Sequence, residues 1–244
     1  MRSYHRRKVA PFTAFRSAVS WGWLRAPAFA LALVFSPFTA GFAHAAPAVR
    51  AHVFFVRGFL NVFSLGLDEM AGTLRRQGIH ATVDNHLLWA SIADEAATEY
   101  KSGRINTIIL VGHSSGATVL PEMIARLSRK GVPVKLAIGL DSIFHTSLSG
   151  YVGTYINYYV ADGAGTLVRK TRNFHGILEN INVDTVPGVG HLTIDKNPVM
   201  QQRVIAAIDA AVRSRPSNRI AMRPRATPVA ASHALGAKHA AAAN

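Results

Sequence analysis

Residues 108–116 read Ile-Ile-Leu-Val-Gly-His-Ser-Ser-Gly, and a helix-forming stretch follows at once. No other part of the chain constrains the fold as tightly. A buried strand that passes directly into a helix needs a sharp bend, and a side chain at either flank of that bend collides with backbone. Gly112 and Gly116 remove those side chains, so Ser114 stands at the crest with its hydroxyl raised. The pattern G-x-S-x-G is frequent by chance, because Gly and Ser crowd loops. Here the apolar run Asn106–Val111 supplies the preceding strand, and that context gives the pattern its weight.

Periodicity on both sides of this bend alternates between the two regular structures. The spacing predicts strands over 51–57, 79–83, 105–111, 134–140, 151–160 and 177–183. It predicts helices over 65–77, 88–100 and 117–129, with a last one capped by Asn197, opened by Pro198 and running to about Arg213. Strands alternating with helices imply an α/β fold: a mostly parallel central sheet of about six strands with helices on both faces. Uninterrupted apolar strands such as Ile108–Val111 fit burial on both sides. No stretch is long enough for a large lid.

The ends differ from the middle. The formal charge is +14, but residues 1–25 hold six Lys/Arg and residues 213–244 another six, with no acid in either. The remainder carries 15 basic against 13 acidic residues, so the basic character belongs to the tails and no nucleic-acid-binding face is expected. Residues 1–45 combine a basic leader, an apolar centre Phe29–Phe35 and an A-x-A-like end at Ala43-His44-Ala45. That is the make-up of a cleaved secretory signal, with an uncleaved membrane anchor as the alternative. The apolar centre is bracketed by Pro27 and Pro37, whereas a spanning helix needs about 20 unbroken apolar residues. The expected organisation is a signal over 1–45, one folded domain over 46–213 and a disordered basic tail over 214–244. The location expected is periplasmic or secreted, with weak attachment to an anionic membrane surface through the basic tails as a secondary possibility. The chain has no cysteine, which excludes disulfides, thiolate metal sites and a Cys nucleophile.

A serine hydroxyl is a weak nucleophile near neutral pH and needs a base, which in turn needs an acid to orient it. Asp141 stands at the end of the strand 134–140, and His191 lies in the glycine-rich loop Val186–His191 before the last helix. Ser114, Asp141 and His191 therefore follow one another in the order Ser, Asp, His. Asp162 is the rival acid, Asp184 a more distant one, and Asp195 is expected to cap or solvate the final helix. The donors for a developing oxyanion are expected in the backbone N–H groups of Ser115 and Phe59. His113 reads as a filler of the bend. His52, His80, His86, His145 and His175 show no metal-binding spacing, and H-E-x-x-H is absent. No metal or cofactor is expected. The aromatic cluster Tyr151, Tyr155, Tyr158 and Tyr159 is expected to pack the sheet rather than line an acyl pocket.

By the Gly112–Gly116 bend, the Arg57-Gly58-Phe59 loop and Gly190-His191, residues 50–213 resemble the α/β-hydrolase superfamily, with likeness to thioesterase-like and lipase-like members. Arg57 stands where that family usually has His. The resemblance implies hydrolysis of an ester or thioester through an acyl-enzyme on Ser114, acting on a small-molecule or lipid-like acyl substrate. An inactive binding protein of the same fold and an acyltransferase using the same residues are the alternatives.

Overall fold

A computed structural model describes residues 49–59, 62–163 and 165–214. The signal expected over 1–45 and nearly all of the tail expected over 214–244 lie outside the described residues. The described residues form β1 (Ala51–Arg57), α1 (Gly66–Arg76), β2 (His80–Asn85), α2 (Trp89–Lys101), β3 (Thr107–His113), α3 (Ser115–Thr118), α4 (Leu120–Arg129), β4 (Val134–Leu140), β5 (Ser147–Tyr159), β6 (Arg169–Asn182) and α5 (Pro198–Arg213). The six strands make one sheet in the order β2-β1-β3-β4-β5-β6, and every neighbouring pair is parallel. No helix among the described residues is long and apolar enough to cross a membrane.

Alternation along β1 sends Val53 and Phe55 to one face and Phe54 and Val56 to the other. Val53 and Phe55 pack with Leu67, Met70 and Leu74 of α1 and Val204 and Ile208 of α5. Phe54 and Val56 pack with Ile92 and Ala96 of α2 and Met123, Ile124 and Leu127 of α4. Two apolar layers thus sandwich the central strands, and β3 is buried at every position.

Sheet order reverses at β1. The chain builds β2 on one side of it, then crosses to β3 on the other and continues outward. The crevice above the carboxyl ends of β1 and β3 is the point where such sheets place their ligands. Gly58 follows β1 there, and Ser114 follows β3.

Two features depart from the periodicity. The helix expected over 117–129 is two: α3 stops at Thr118 and α4 starts at Leu120. Pro121, in the first turn of α4, has no N–H to give and its ring crowds the carbonyl four residues earlier. Among the described residues, the last three strands are joined without helices. Eleven residues, 141–151, lead from the end of β4 to Val152, where pairing with β4 begins, and the first part of β5 pairs with β6 instead. β6, on the sheet edge, is exposed along most of its length, so helices cover both faces of the central strands only.

Candidate active site

Ser114 adopts φ 57° and ψ −123°, a conformation that side chains rarely hold. The surroundings impose it. A Cβ on Gly116 would lie 2.0 Å from the Val56 carbonyl oxygen, and one on Gly112 would lie 2.4 Å from the Gly116 carbonyl oxygen. Both glycines are therefore required by the close passage of strand, bend and helix. The Ser114 N–H donates to the Leu140 carbonyl at 2.9 Å, which ties the bend to β4.

His191 arrives from the loop between β6 and α5. Its Nε2 lies 3.1 Å from Ser114 Oγ, and its Nδ1 lies 2.6 Å from Asp141 Oδ2. The buried carboxylate accepts, so Nδ1 carries the proton and Nε2 is left to accept from the serine hydroxyl. Asp141 is fully buried, while the His191 side chain is 24% exposed and forms the roof of the array. The second oxygen, Oδ1, accepts from the Val160 N–H at 2.8 Å, so both carboxylate oxygens are fixed. Gly165 passes directly above: a Cβ there would lie 1.9 Å from Asp141 Oδ1. The rival acids lie elsewhere. Asp162 is exposed in the turn after β5, and Asp184 accepts from the Ala161 N–H.

Asp195 corrects the sequence reading. It is fully buried, neither solvated nor capping α5; its Oδ2 accepts from the Gly66 N–H at the start of α1. The cap on α5 is Asn197, as expected, accepting from Val199 and Met200.

The expected oxyanion donors flank Ser114. Ser115 heads α3, where helix geometry leaves the first N–H groups without an intrahelical carbonyl. Phe59 follows Gly58, and a Cβ on Gly58 would lie 2.9 Å from Ser114 Cβ, so the loop runs hard against the nucleophile. Arg57 donates from Nη2 to Asp68 Oδ1 and ties this loop to α1.

His113 is more than a filler. Its Nε2 donates to the His191 carbonyl oxygen at 2.8 Å, its Nδ1 accepts from Ser64 Oγ at 2.8 Å, and Ser64 Oγ accepts from the Gly58 N–H at 3.1 Å. One neutral imidazole thus joins the loop carrying the base to the Gly58-Phe59 loop, where one of the expected oxyanion donors lies. Burial pushes it below its ordinary value, and the Asp195 carboxylate only partly opposes that. The one sequence signal for this role was a polar residue at the end of an otherwise apolar buried strand. The tyrosines behave as expected: Tyr151, Tyr155 and Tyr158 are buried in the sheet packing, and burial raises the phenols of Tyr155 and Tyr158.

Around this array, Phe59, Phe63, Phe144 and Leu192 are exposed on loops leaving the carboxyl ends of β1, β4 and β6, with Phe59 66% and Phe144 61% accessible. At the other end of the sheet, His52, His80 and Glu99 lie together, a grouping that linear spacing concealed.

No protein-family profile matches the chain, and no curated protein matches its sequence. Among solved structures it is similar to a protein placed in the alpha/beta superfamily of hydrolases, from Xanthomonas campestris pv. campestris, at 9% identity and TM-score 0.40 over 66% of this chain and 99% of that one. An acetylxylan esterase matches at 14% identity and TM-score 0.42 over 69% and 100%. A type II thioesterase from the yersiniabactin biosynthetic pathway matches at 11% identity and TM-score 0.37 over 70% and 95%. The chain is a parallel α/β protein with a serine, histidine and aspartate array at the switch point of its sheet.

Proposed function

We propose that the chain is a serine hydrolase that cleaves an ester or thioester through an acyl-enzyme on Ser114. The observation that carries this is the unbroken contact from Ser114 Oγ through the His191 ring to Asp141, at 3.1 and 2.6 Å. Ser114 Oγ attacks the acyl carbon while His191 Nε2 takes its proton, and the oxyanion that forms sits against the N–H groups of Phe59 and Ser115. His191 returns the proton to the leaving alcohol or thiol. Water then repeats the sequence on the acyl-enzyme and frees the acid. Asp141 holds the imidazole in the productive tautomer and balances its charge while it is protonated. The exposed Phe59, Phe63, Phe144 and Leu192 favour an acyl group that is apolar and reached from an open surface.

Replacing Ser114 by Ala tests the assignment with short p-nitrophenyl esters. Turnover is expected to vanish while the circular dichroism spectrum and melting temperature stay close to those of the parent. Undiminished turnover in the folded variant overturns the reading. The basic–apolar–A-x-A pattern of residues 1–45 supports export, and intact-mass analysis of the exported protein should then read a chain starting close to Ala46. A chain retaining Met1 contradicts that part of the proposal.

A further inference from the structure

We propose that His52, His80 and Glu99 bind a first-row divalent cation, zinc above all, at the end of the sheet remote from Ser114. The three come from three elements, β1, β2 and α2, and their ligand atoms all lie within 4.8 Å of one another. His52 and His80 are register partners on adjacent strands, and their rings stack with centroids 3.8 Å apart. His52 also pairs with Ile108 of β3, six residues before Ser114, so the two sites are separated by about 20 Å of strand. This site plays no part in the serine chemistry, and the proposal stands independently of it.

Two imidazoles and one carboxylate make a nitrogen–oxygen donor set that suits zinc, and nickel and copper after it, rather than magnesium or calcium. His52 is buried and Glu99 nearly so, so the first two ligands are pre-positioned. At present Nδ1 of His52 lies 2.6 Å from Glu99 Oε2, a hydrogen-bond distance. An ion held at about 2.0–2.1 Å by each ligand takes the place of that proton and spreads the ligand atoms to about 3.3 Å. The other ring nitrogen makes the exchange possible. Nε2 lies 3.1 Å from Thr82 Oγ1, and a hydroxyl either donates or accepts. When the ion takes Nδ1, the ring proton moves to Nε2 and donates to Thr82, so no charge is stranded. Ligating histidines characteristically have such a partner on the far nitrogen.

His80 is the entrance: its ring now stacks on His52 and has to turn to bring a nitrogen in-plane to the ion, and as an exposed side chain it has the room to do so. It is exposed on the edge strand and lines an open cavity of about 490 Å³ together with Arg104. The Arg104 guanidinium lies 3.5 Å from Glu99 Oε1 and its side chain is 64% exposed, so it balances the carboxylate and can swing aside when the ion arrives. Bound there, the cation joins the edge strand β2 to β1 and α2 and stabilises the sheet end.

The test uses the full chain as produced, stripped with a chelator and titrated with zinc chloride by calorimetry, with melting temperature as a second readout. The chain has 11 histidines, so the decisive quantity is the difference between the parent and His80→Ala. Loss of one zinc equivalent, and of the zinc-dependent rise in melting temperature, supports the site. No uptake by the parent at millimolar zinc, or identical uptake in His80→Ala, overturns it. If His80→Ala does not fold, Thr82→Val replaces it: affinity weakened tenfold to a hundredfold supports the site, and unchanged affinity overturns it. Ion uptake, not turnover, is the readout, so a failure here is distinct from a failure of the hydrolase reading.

Discussion

Asp141→Asn separates the role of charge from the role of shape, because the structure dictates which way the new amide must face. Asp141 Oδ1 accepts from the Val160 N–H at 2.8 Å, so the oxygen of the substituted amide has to take that place. The amide NH₂ then falls where Oδ2 stood, 2.6 Å from His191 Nδ1. A donor there forces Nδ1 to accept, and the ring proton moves to Nε2, facing Ser114. The base can no longer take the serine proton. The wrong tautomer in an otherwise intact array lowers kcat by about 10⁴, equivalent to about 5.5 kcal/mol of barrier. All hydrogen bonds are still made, so the melting temperature should change little. Steady-state turnover of p-nitrophenyl acetate, with thermal unfolding alongside, measures both quantities. Asp162→Asn is the control and should stay within about twofold of the parent, since Asp162 lies exposed in the turn after β5. If Asp141→Asn keeps its activity within about tenfold, or Asp162→Asn takes the loss, the orientation argument fails.

Gly165→Ala should cost activity without touching any reacting atom: its Cβ would lie 1.9 Å from Asp141 Oδ1, so the acid or the loop must move, and a drop in kcat of about a hundredfold is expected in kinetic assays. Full activity would show that the loop yields freely. His113→Asn breaks the connection between the His191 carbonyl and Ser64, and should lower kcat by about tenfold to a hundredfold with KM less affected. The same residue sets a pH dependence of stability. Its folded value lies below the ordinary 6.5, so as pH falls the unfolded chain binds the proton first. Its contribution is complete above about pH 6.5 and is lost below it at up to about 1.4 kcal/mol per pH unit. Urea unfolding at about pH 7.5 and 5.5 should show a shallower loss in His113→Asn than in the parent; equal losses would contradict the buried neutral form.

Most of the architecture was legible because both faces of the central sheet are covered. Burial on two sides makes strands 51–57 and 134–140 predominantly apolar runs, and the expected bounds match both ends of each. The Asn197-Pro198 start of α5 was equally plain, since cap and first-turn proline act locally. What escaped depends on contacts between distant segments. β6 is exposed and polar, so its length to Arg169 leaves no periodic trace. The order Ser114, Asp141, His191 could be read from strand ends and loops, and the distances bring those three together. The roles of Gly165 above the acid and of Asp195 under α1 could not be read, because each follows from a crossing of chains that spacing does not record. From sequence His113 reads only as a bend residue, since its two partners lie 49 and 78 residues away. His52 and Glu99 were hidden likewise, 47 residues apart.

The central claim is that His191 activates the Ser114 hydroxyl, and a fluorophosphonate reports on that directly. Mass spectrometry of the labelled full chain should find one phosphonyl group, on the peptide containing Ser114, and none on folded His191→Ala. A folded parent that takes no label, or a His191→Ala variant labelled at the same rate on Ser114, would contradict the account.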